Sequence, residues 1–237
     1  MTRERAFKQA VRGRARDTGE KYTAARRALL GGGESPEART LAEFDRQLDN
    51  LAGLSGDRSA EALRPLVSLL PVASPPADVG TGRFPFVVVA TSAVVPRHEA
   101  VSRIERRGRA GFTVLERDDL ARFGAIEGLD LPCASAYLLL DVDTGAETCN
   151  ITPDDALEAI RLAGRSPLTI DEGIAMAIQY PEAVAEGRGF SLLGSRCGDK
   201  RVTALWISKQ QPKLGWCWAG NPHTWLGSAS CARRAAA

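Results

Sequence analysis

The stretch Gly194–Cys231 concentrates the residue types in this chain that could do chemistry. It contains all four tryptophans, three of the five cysteines and one of the two histidines: Trp206, Trp216, Trp218, Trp225, Cys197, Cys217, Cys231 and His223. A packed tryptophan buries roughly 200 Å² of surface. Four of them in one short segment therefore predict either the centre of a hydrophobic core or a lined pocket, and both interpretations stay open.

One chemistry that this stretch could support is nucleophilic catalysis by a thiol. Cys197 would attack the substrate and His223 would act as the general base. Asp199 or Asn221 would orient the imidazole. The segment Leu193–Cys197 does not match a nucleophile elbow, because glycine is missing from the required position after the serine. A small thiol-dependent hydrolase or transferase using Cys197 and His223 is therefore kept as an alternative function.

A second chemistry is the binding of a structural zinc ion. Thiolates and imidazoles are the ligands of tetrahedral zinc sites, and the candidates are Cys197, Cys217, His223 and Cys231. Their spacing lacks the closely spaced cysteine pairs that place two thiolates on one knuckle. Antiparallel strands would have to gather these residues, so the sequence does not favour a metal site.

A third possibility is that the tryptophans line a binding surface. Side chains alternate along a strand, so Trp216 and Trp218 would share one face of a strand at Leu214–Ala219. If Trp206, from a strand at Val202–Ser208, pairs with that face, the sheet carries an aromatic wall. Such a wall is either buried under helices or lines a cleft for a flat ligand such as a base or a sugar. The predicted ligand-binding residues are Trp206, Trp216, Trp218, Asn221, His223, Trp225, Arg196 and Arg201.

The turn at Asn221–His223 is the place where we expect any pocket. It joins Trp218 to Trp225 and holds the one histidine that lies among aromatic residues. Arg196 and Arg201 from the neighbouring turns are expected to converge on the same region.

The first 33 residues are predicted to form a separate basic appendage. Residues 1–30 contain seven arginines and two lysines against three acidic residues. Two helices, Arg5–Arg16 and Thr23–Leu30, are separated by turn residues and end at Gly31–Gly33. This helical hairpin resembles the paired helices of ribbon-helix-helix antitoxins, which bind DNA, although the strand that reads bases in that fold has no counterpart here.

The charge of the hairpin indicates an anionic partner. A local excess of positive charge attracts polyanions such as nucleic acid; an acidic protein, or the rest of its own chain, is the alternative. The residues expected to contact the partner are Lys8, Arg12, Arg14, Arg16, Lys21, Arg26 and Arg27.

Residues 34–237 are predicted to form a single α+β domain. Thr40 and Glu43 have the spacing of a capping box, at the start of a helical arm over residues 40–70. Proline, glycine and serine are frequent in residues 71–83, which predicts a linker.

The middle of the chain predicts strands and a short helix. Phe86–Ala90 is apolar throughout, which is typical of a strand covered on both faces. Glu99–Arg107 predicts a short basic helix. Ala136–Asp141 and Thr148–Ile151 predict a hairpin closed around Asp143–Gly145.

The C-terminal part is predicted to be an antiparallel meander packed against two helices. Thr152 would cap a helix over residues 153–163, and a capping box of Thr169 and Glu172 would begin a helix over residues 169–180. The four predicted strands are Phe190–Ser195, Val202–Ser208, Leu214–Ala219 and Thr224–Ser230.

Composition places the chain among ordinary soluble proteins. Of its 237 residues, 44% are hydrophobic and 25% charged, which is typical of globular domains. Five cysteines without paired spacing do not form a disulfide framework. The arginine-rich N-terminus lacks the apolar region of a secretion signal, and no apolar run is long enough to span a bilayer. We therefore expect a cytoplasmic protein, with Arg233–Ala237 frayed at its end.

No motif identifies a cofactor, because Walker A, G-x-G-x-x-G and H-E-x-x-H patterns do not occur. The sequence favours a non-catalytic binding or regulatory protein. The thiol enzyme and the zinc domain remain as alternatives.

Several longer segments resemble an actinobacterial domain family of unknown function. These segments are FDRQLDNL, AYLLLDVDTGAET, TPDDALEAI, GRSPLTIDEG, GSRCGDKRV, ALWIS and PKLGWCWAGNPHTWLGSASC. The resemblance covers roughly residues 42–231 and implies no activity. The basic hairpin at 1–33 lies outside it.

Overall fold

The computed structural model describes residues 35–55 and 63–236, together with Arg12 and Arg16, which are both helical and exposed. The helices of the two long ranges are α1 (Pro36–Ser55), α2 (Arg97–Ser102), α3 (Arg117–Arg122), α4 (Pro153–Leu162) and α5 (Ile170–Gln179). Short 3-10 helices span Arg64–Leu69, Ala146–Thr148 and Pro181–Ala183. None of the helices in the described ranges combines the length and apolar character that a bilayer crossing requires. The predicted basic hairpin, apart from Arg12 and Arg16, lies outside the described residues.

The strands form two main sheets and two short ribbons. They are β1 (Arg83–Ala90), β2 (Glu105–Arg106), β3 (Arg109–Ala110), β4 (Phe112–Thr113), β5 (Gly124–Ala125), β6 (Ala136–Asp143), β7 (Ser166–Pro167), β8 (Gly189–Leu192), β9 (Ser195–Arg196), β10 (Arg201–Ser208), β11 (Gln211–Trp218), β12 (Leu226–Ser228) and β13 (Ser230–Ala235). The first sheet has the order β1-β6-β13-β7 and is antiparallel throughout. The second has the order β12-β8-β10-β11-β4, with parallel edge strands β12 and β4. Ribbons β2–β3 and β5–β9 complete an α+β fold, which confirms the predicted class.

Helix α5 lies between the two sheets. Its Ile174 is buried in a central core that includes Val87 of β1 on one side and Leu205 of β10 on the other. Gly173 lets β8 approach the helix, because a Cβ there would overlap the side chain of Leu192. Helix α1 covers the outer face of the first sheet and α4 covers the outer face of the second. Helices and sheets therefore alternate, and both faces of each sheet are packed.

Strand β1 shows this double burial. Val87 and Val89 point into the central core, whereas Phe86 and Val88 point outward against Phe44 of α1. A strand buried on both faces is expected to be a continuous apolar run. The prediction of a strand covered on both faces agrees with the structure.

Helix α1 begins earlier than the sequence predicts. Ser35 caps its first turn through its hydroxyl oxygen, and Pro36 is the first helical residue, a combination that favours helix initiation. Thr40 therefore lies inside the helix, where its hydroxyl donates to the Pro36 carbonyl and accepts from the N–H of Ser74. The predicted capping box of Thr40 and Glu43 is wrong.

The hairpin predicted between Ala136–Asp141 and Thr148–Ile151 is also wrong. Strand β6 continues to Asp143, and Gly145, with a φ of 78°, turns the chain into a 3-10 helix instead of a returning strand. The edge that a returning strand would have filled is occupied by β13, which pairs with β6 from Ser230 onward. Long-range pairing has displaced the local hairpin.

The C-terminal arginines are fixed by strand pairing, in contrast to the predicted fraying. Arg233 and Arg234 belong to β13. The guanidinium of Arg234 binds the fully buried carboxylate of Glu172 at 2.5 and 2.8 Å. A buried carboxylate is costly unless it is paired, so this end of the chain is required inside the fold.

The last strand of the predicted meander occupies a different edge of the sheet. Strand β12 pairs in parallel with β8, while β4 occupies the edge next to β11. The connection after β11 is fixed at Ala219, whose carbonyl accepts from the N–H of Asp154 at the start of α4. Gly227 then passes close to the backbone of Thr144 and Gly145, where a Cβ would overlap their carbonyl oxygens. The sheet is therefore mixed and only β8, β10 and β11 form the antiparallel meander.

Candidate functional site

The hairpin β10–β11 carries three of the four tryptophans, and its register determines where they point. Its turn consists of Lys209 and Gln210, both with positive φ (52° and 63°). With this two-residue turn, Trp206 lies opposite Lys213 and Trp216 lies opposite Thr203. Directly opposed residues share a face, which places Trp206 and Trp216 on opposite faces. The predicted common aromatic wall is therefore wrong.

The face with Trp206 is a packed region, which we call the Trp206 face. The ring of Trp206 contacts that of Trp225 edge-on at 6.2 Å, and His223 lies 5.6 Å from Trp225. The ammonium of Lys213 sits 4.9 Å from the centre of the Trp206 ring. Gly215 provides the space, because a Cβ there would overlap that ring. These contacts are typical of a hydrophobic core whose edge is covered by a charged side chain.

The opposite face carries Trp216 and Trp218, and we call it the Trp218 face. The two rings meet edge-on at 4.7 Å, and Trp218 is 46% exposed. Arg201, directly across the strand from Trp218, forms ion pairs with Asp119 at 2.6 Å and with Asp199 at 2.9 Å. Of the predicted ligand-binding residues, the structure brings Trp216, Trp218 and Arg201 together here.

His223 is half-buried and lies in the turn between β11 and β12. Its Nε2 atom is buried and has no hydrogen-bond partner among the described residues, while its carbonyl accepts from the N–H of Asn150. The N–H of Asn221 donates to the carbonyl of Trp218. Two cavities adjoin Arg97 instead, and His223 does not line them, so they do not coincide with the pocket expected at Asn221–His223.

The structure does not join Cys197 to His223 by a hydrogen bond within the described residues. The thiol of Cys197 instead donates to Oδ1 of Asp199 at 3.2 Å. Burial raises the pKa of the Cys197 thiol, which reduces the thiolate fraction at neutral pH. Hydrogen bonds, first from the N–H of Arg201, lower the pKa of Asp199 to about 2. Asp199 is thus an ion-pair and hydrogen-bond partner, not an orienting group for an imidazole.

The remaining predicted ligands are dispersed. Cys217 lies in the outer core next to Ser191, and Cys231 is fully buried in the central core, where burial raises its pKa to about 12. Arg196 reaches Asp154 at 3.7 Å, and desolvation lowers its pKa. In the part of the chain that the structure describes, no group of three or more potential ligands is placed to hold a metal ion.

A cleft that the sequence did not indicate opens between α2, α3 and the loop after β1. Its volume is about 430 Å³, within the range typical of small-molecule sites. The lining residues are Ser92, Pro96, Arg97, His98, Glu99, Arg117, Leu120 and Ala121. We call it the Arg97 cleft.

Arg97 is held rigidly at the wall of this cleft. Its Nε donates to Asp171 at 2.5 Å, and its Nη1 donates to the carbonyls of Leu120 and Phe123 at 2.6 and 2.8 Å. The carboxylate of Asp171 also accepts from the hydroxyl of Ser92 at 3.0 Å. The guanidinium is therefore oriented before any ligand arrives.

A smaller cavity of about 90 Å³ adjoins Arg97 on its other side. It is lined by Thr91, Arg97, Ala125, Leu131, Pro132, Tyr137, Thr169, Asp171 and Ser195. Behind it, the hydroxyl of Tyr137 donates to Glu172 at 2.8 Å, the same carboxylate that Arg234 binds. Burial and this carboxylate raise the pKa of Tyr137, so its hydroxyl stays a donor at neutral pH.

A weak signal for this site was present in the sequence. Asp171 stands in the first turn of a capped helix, where an acid also serves the helix dipole. Its partner Arg97 is 74 residues away in the chain. No local pattern joins the two, and only tertiary packing brings them together.

Comparison with known proteins identifies the family and no activity. No curated protein and no solved structure matches the chain. The model of a family of unknown function, DUF5701, matches residues 43–237 and therefore includes the two tryptophan faces and the Arg97 cleft. Since the match extends over more than half of the sequence, the chain belongs to the DUF5701 family.

Proposed function

We propose that this protein is a non-catalytic binding protein whose ligand is a small anionic molecule held in the Arg97 cleft. The observation that carries the proposal is the state of Arg97. Three of its hydrogen bonds go to Asp171 and to two backbone carbonyls, whereas its Nη2 has no partner among the described residues. A fixed guanidinium with a free nitrogen is suited to a carboxylate or phosphate, because little side-chain entropy is lost on binding.

The charges around the cleft support an anionic ligand. His98 and Arg117 line it beside Arg97, and Glu99 is the acidic residue of the lining. His98 and Arg117 are exposed and make no ion pair within the described residues. Leu120 and Ala121 give the cleft an apolar floor, which is the usual combination in small-molecule sites.

The alternative functions have less support from the geometry. A thiol enzyme would need an activated Cys197, but burial raises its pKa and its hydrogen bond goes to Asp199. A zinc domain would need Cys217 and Cys231 in one site, but they lie in different cores. The exposed Trp218 remains available as a partner surface of the same binding protein.

A direct test is calorimetric titration of the full chain with a panel of small anions, including phosphate, di- and tricarboxylates and nucleoside monophosphates. We expect at least one to bind, and Arg117→Ala to weaken that binding about tenfold, equivalent to about 1.4 kcal/mol. Arg161→Ala is the matched control, since Arg161 is an exposed arginine of α4 that does not line the cleft. Equal affinities of the two variants, or no binding in the panel, would contradict the proposal.

For residues 1–33 we propose a role in holding a nucleic acid or an acidic protein. Nine basic against three acidic residues in the first thirty support this, because such a field attracts polyanions without sequence preference. Fluorescence anisotropy with labelled DNA should show salt-sensitive binding that weakens when residues 1–33 are deleted. Equal binding by the full and shortened chains would contradict this role.

A further inference from the structure

A basic β-hairpin replaces the second half of the helix predicted at Glu99–Arg107. Helix α2 ends at Ser102, and β2 and β3 then pair around a turn of two residues, Arg107 and Gly108. Both turn residues have positive φ, 53° and 72°, as a type I′ turn requires. The hairpin projects arginines from a rigid support.

A second turn of the same type lies next to this hairpin. Strand β4 pairs in parallel with β11 so that Phe112 lies beside Lys213. The strands β2 and β3 contact β11 as well. Counting back from this register places the Arg107–Gly108 turn at the same end of the sheet as the Lys209–Gln210 turn. The two turns therefore present basic side chains at the same end of the sheet.

The exposed cations of these turns are not paired with other groups of the described residues. Arg107, Arg109 and Lys209 are exposed, and none of them forms an ion pair or a side-chain hydrogen bond within the described residues. Surface charges commonly pair with neighbours of opposite sign, at little cost. Because exposed ion pairs contribute little to stability, these three cations remain free to contact negative charge from outside the chain.

Arg106 of β2 directly precedes the Arg107–Gly108 turn. It is only 8% exposed, and its Nε is buried without any hydrogen-bond partner among the described residues. Its Nη1 forms a long ion pair of 3.9 Å with Glu186, whose side chain is 58% exposed. The long, half-exposed ion pair compensates the charge of Arg106 only in part, so Arg106 adds positive charge beside the Arg107–Gly108 turn.

We propose that Arg107, Arg109 and Lys209 form a phosphate-binding surface for a nucleic-acid backbone. Arginine presents a planar fork that matches phosphate oxygens, and contacts to phosphates position a protein without reading bases. Three cations on two turns allow several phosphate contacts, and a polymer that carries many phosphates can make them together. This site is separate from the Arg97 cleft and from residues 1–33.

The test compares two variants of the full chain that lose the same charge. The first carries Arg107→Gly, Arg109→Gln and Lys209→Gly, with glycine chosen where φ is positive. The control carries Arg161→Gln, Lys200→Gln and Arg233→Gln, three exposed positions elsewhere. Circular dichroism and thermal unfolding establish that both variants fold. Residues 1–33 are present in all proteins and contribute equally.

Affinity for a labelled DNA duplex of mixed sequence is measured by anisotropy between about 50 and about 200 mM salt. The slope of log K against log salt should become shallower by about 0.9 for each phosphate that the variant no longer neutralises. We expect the hairpin variant to lose two to three phosphate contacts, and its slope should change accordingly. The control should keep most of the parent slope. Equal slopes for both variants would overturn the proposal.

Competition separates the polymer from free phosphate. Inorganic phosphate and a nucleoside triphosphate, added at matched ionic strength, should displace the duplex no better than sodium chloride does. Displacement by either at micromolar concentration would identify a site for a small phosphate compound, and the nucleic-acid proposal would then be wrong. The variant Arg117→Ala should leave DNA binding unchanged, so this result and the outcome for the Arg97 cleft remain distinguishable.

Discussion

The Trp206 face and the Trp218 face lie on the two sides of one hairpin, and their tryptophans pack against different cores. On the Trp206 face, aromatic rings pack with Trp225 and with the outer core under α4. On the Trp218 face, the outermost ring is 46% exposed and lies opposite Arg201. The register of the hairpin therefore decides which core each ring joins. Trp206 packs against the outer core and Trp216 against the central core, while Trp218, the last residue of β11, stays exposed.

The charged partners of the two faces differ in the same way. The ammonium of Lys213 lies over the Trp206 ring, so its charge stabilises the packed ring through a cation–π contact. Arg201 is held by Asp119 and Asp199 and also lies over Phe123. The Trp206 face is closed by its cation, whereas the Trp218 face keeps a charged network beside an accessible ring.

The largest expected effect is that of tryptophan truncation on stability. We expect Trp206→Ala to lower the free energy of unfolding by about 2–4 kcal/mol, because it leaves a gap beneath α4. Trp218→Ala should lower it by less than about 1 kcal/mol, since the ring is largely exposed. Urea unfolding of both variants measures the difference. Similar losses for both would remove the distinction between the two faces.

The next effect concerns the space that Gly215 gives to Trp206. A Cβ at Gly215 would overlap the ring, so Gly215→Ala should lower the free energy of unfolding by about 1–3 kcal/mol. Gly220→Ala is the control, because nothing lies within 4 Å of a Cβ there, and it should change stability by less than about 0.5 kcal/mol. Thermal unfolding should separate the two; a neutral Gly215→Ala would show that the ring is free to move.

The charged network of the Trp218 face predicts a pH dependence. The folded-state pKa of Asp199 is lowered to about 2 from an ordinary value of 3.8, so the unfolded chain binds more protons between these values. Its stabilising contribution is complete above pH 4 or so and is lost as the pH falls towards 2. Asp199→Asn should therefore shift the urea midpoint at pH 7 more than at pH 3. Asp130→Asn, an exposed control, should show no such contrast.

The smallest effect lies in the turn that sets the register for both faces. Gln210 has a φ of 63°, which is costly for a residue with a Cβ and not for glycine. Gln210→Gly should raise the free energy of unfolding by about 0.5 kcal/mol, because the relief of backbone strain exceeds the greater entropy that glycine loses on folding. Ser208→Gly, within β10, should lower it instead. If both substitutions destabilise, the turn does not have this conformation in solution.

Local patterns were sufficient for several elements of this fold. Thr152 caps α4, and Thr169 with Glu172 forms the capping box of α5, as the sequence predicts. The α+β class and the buried strand β1 follow from hydrophobic patterns in the same way. These features depend on residues within one or two turns of each other, so their physical causes are contained in short segments.

The tertiary structure decided the rest, because the deciding contacts join residues far apart in sequence. Arg97 meets Asp171 across 74 residues, and Arg234 meets Glu172 across 62. Strand β13 filled the edge of β6 that a local hairpin would have used, and a two-residue turn shifted Trp206 away from Trp216. In each case, alternative pairings have similar local preference. Packing of the whole chain and the pairing of buried charges decide between them.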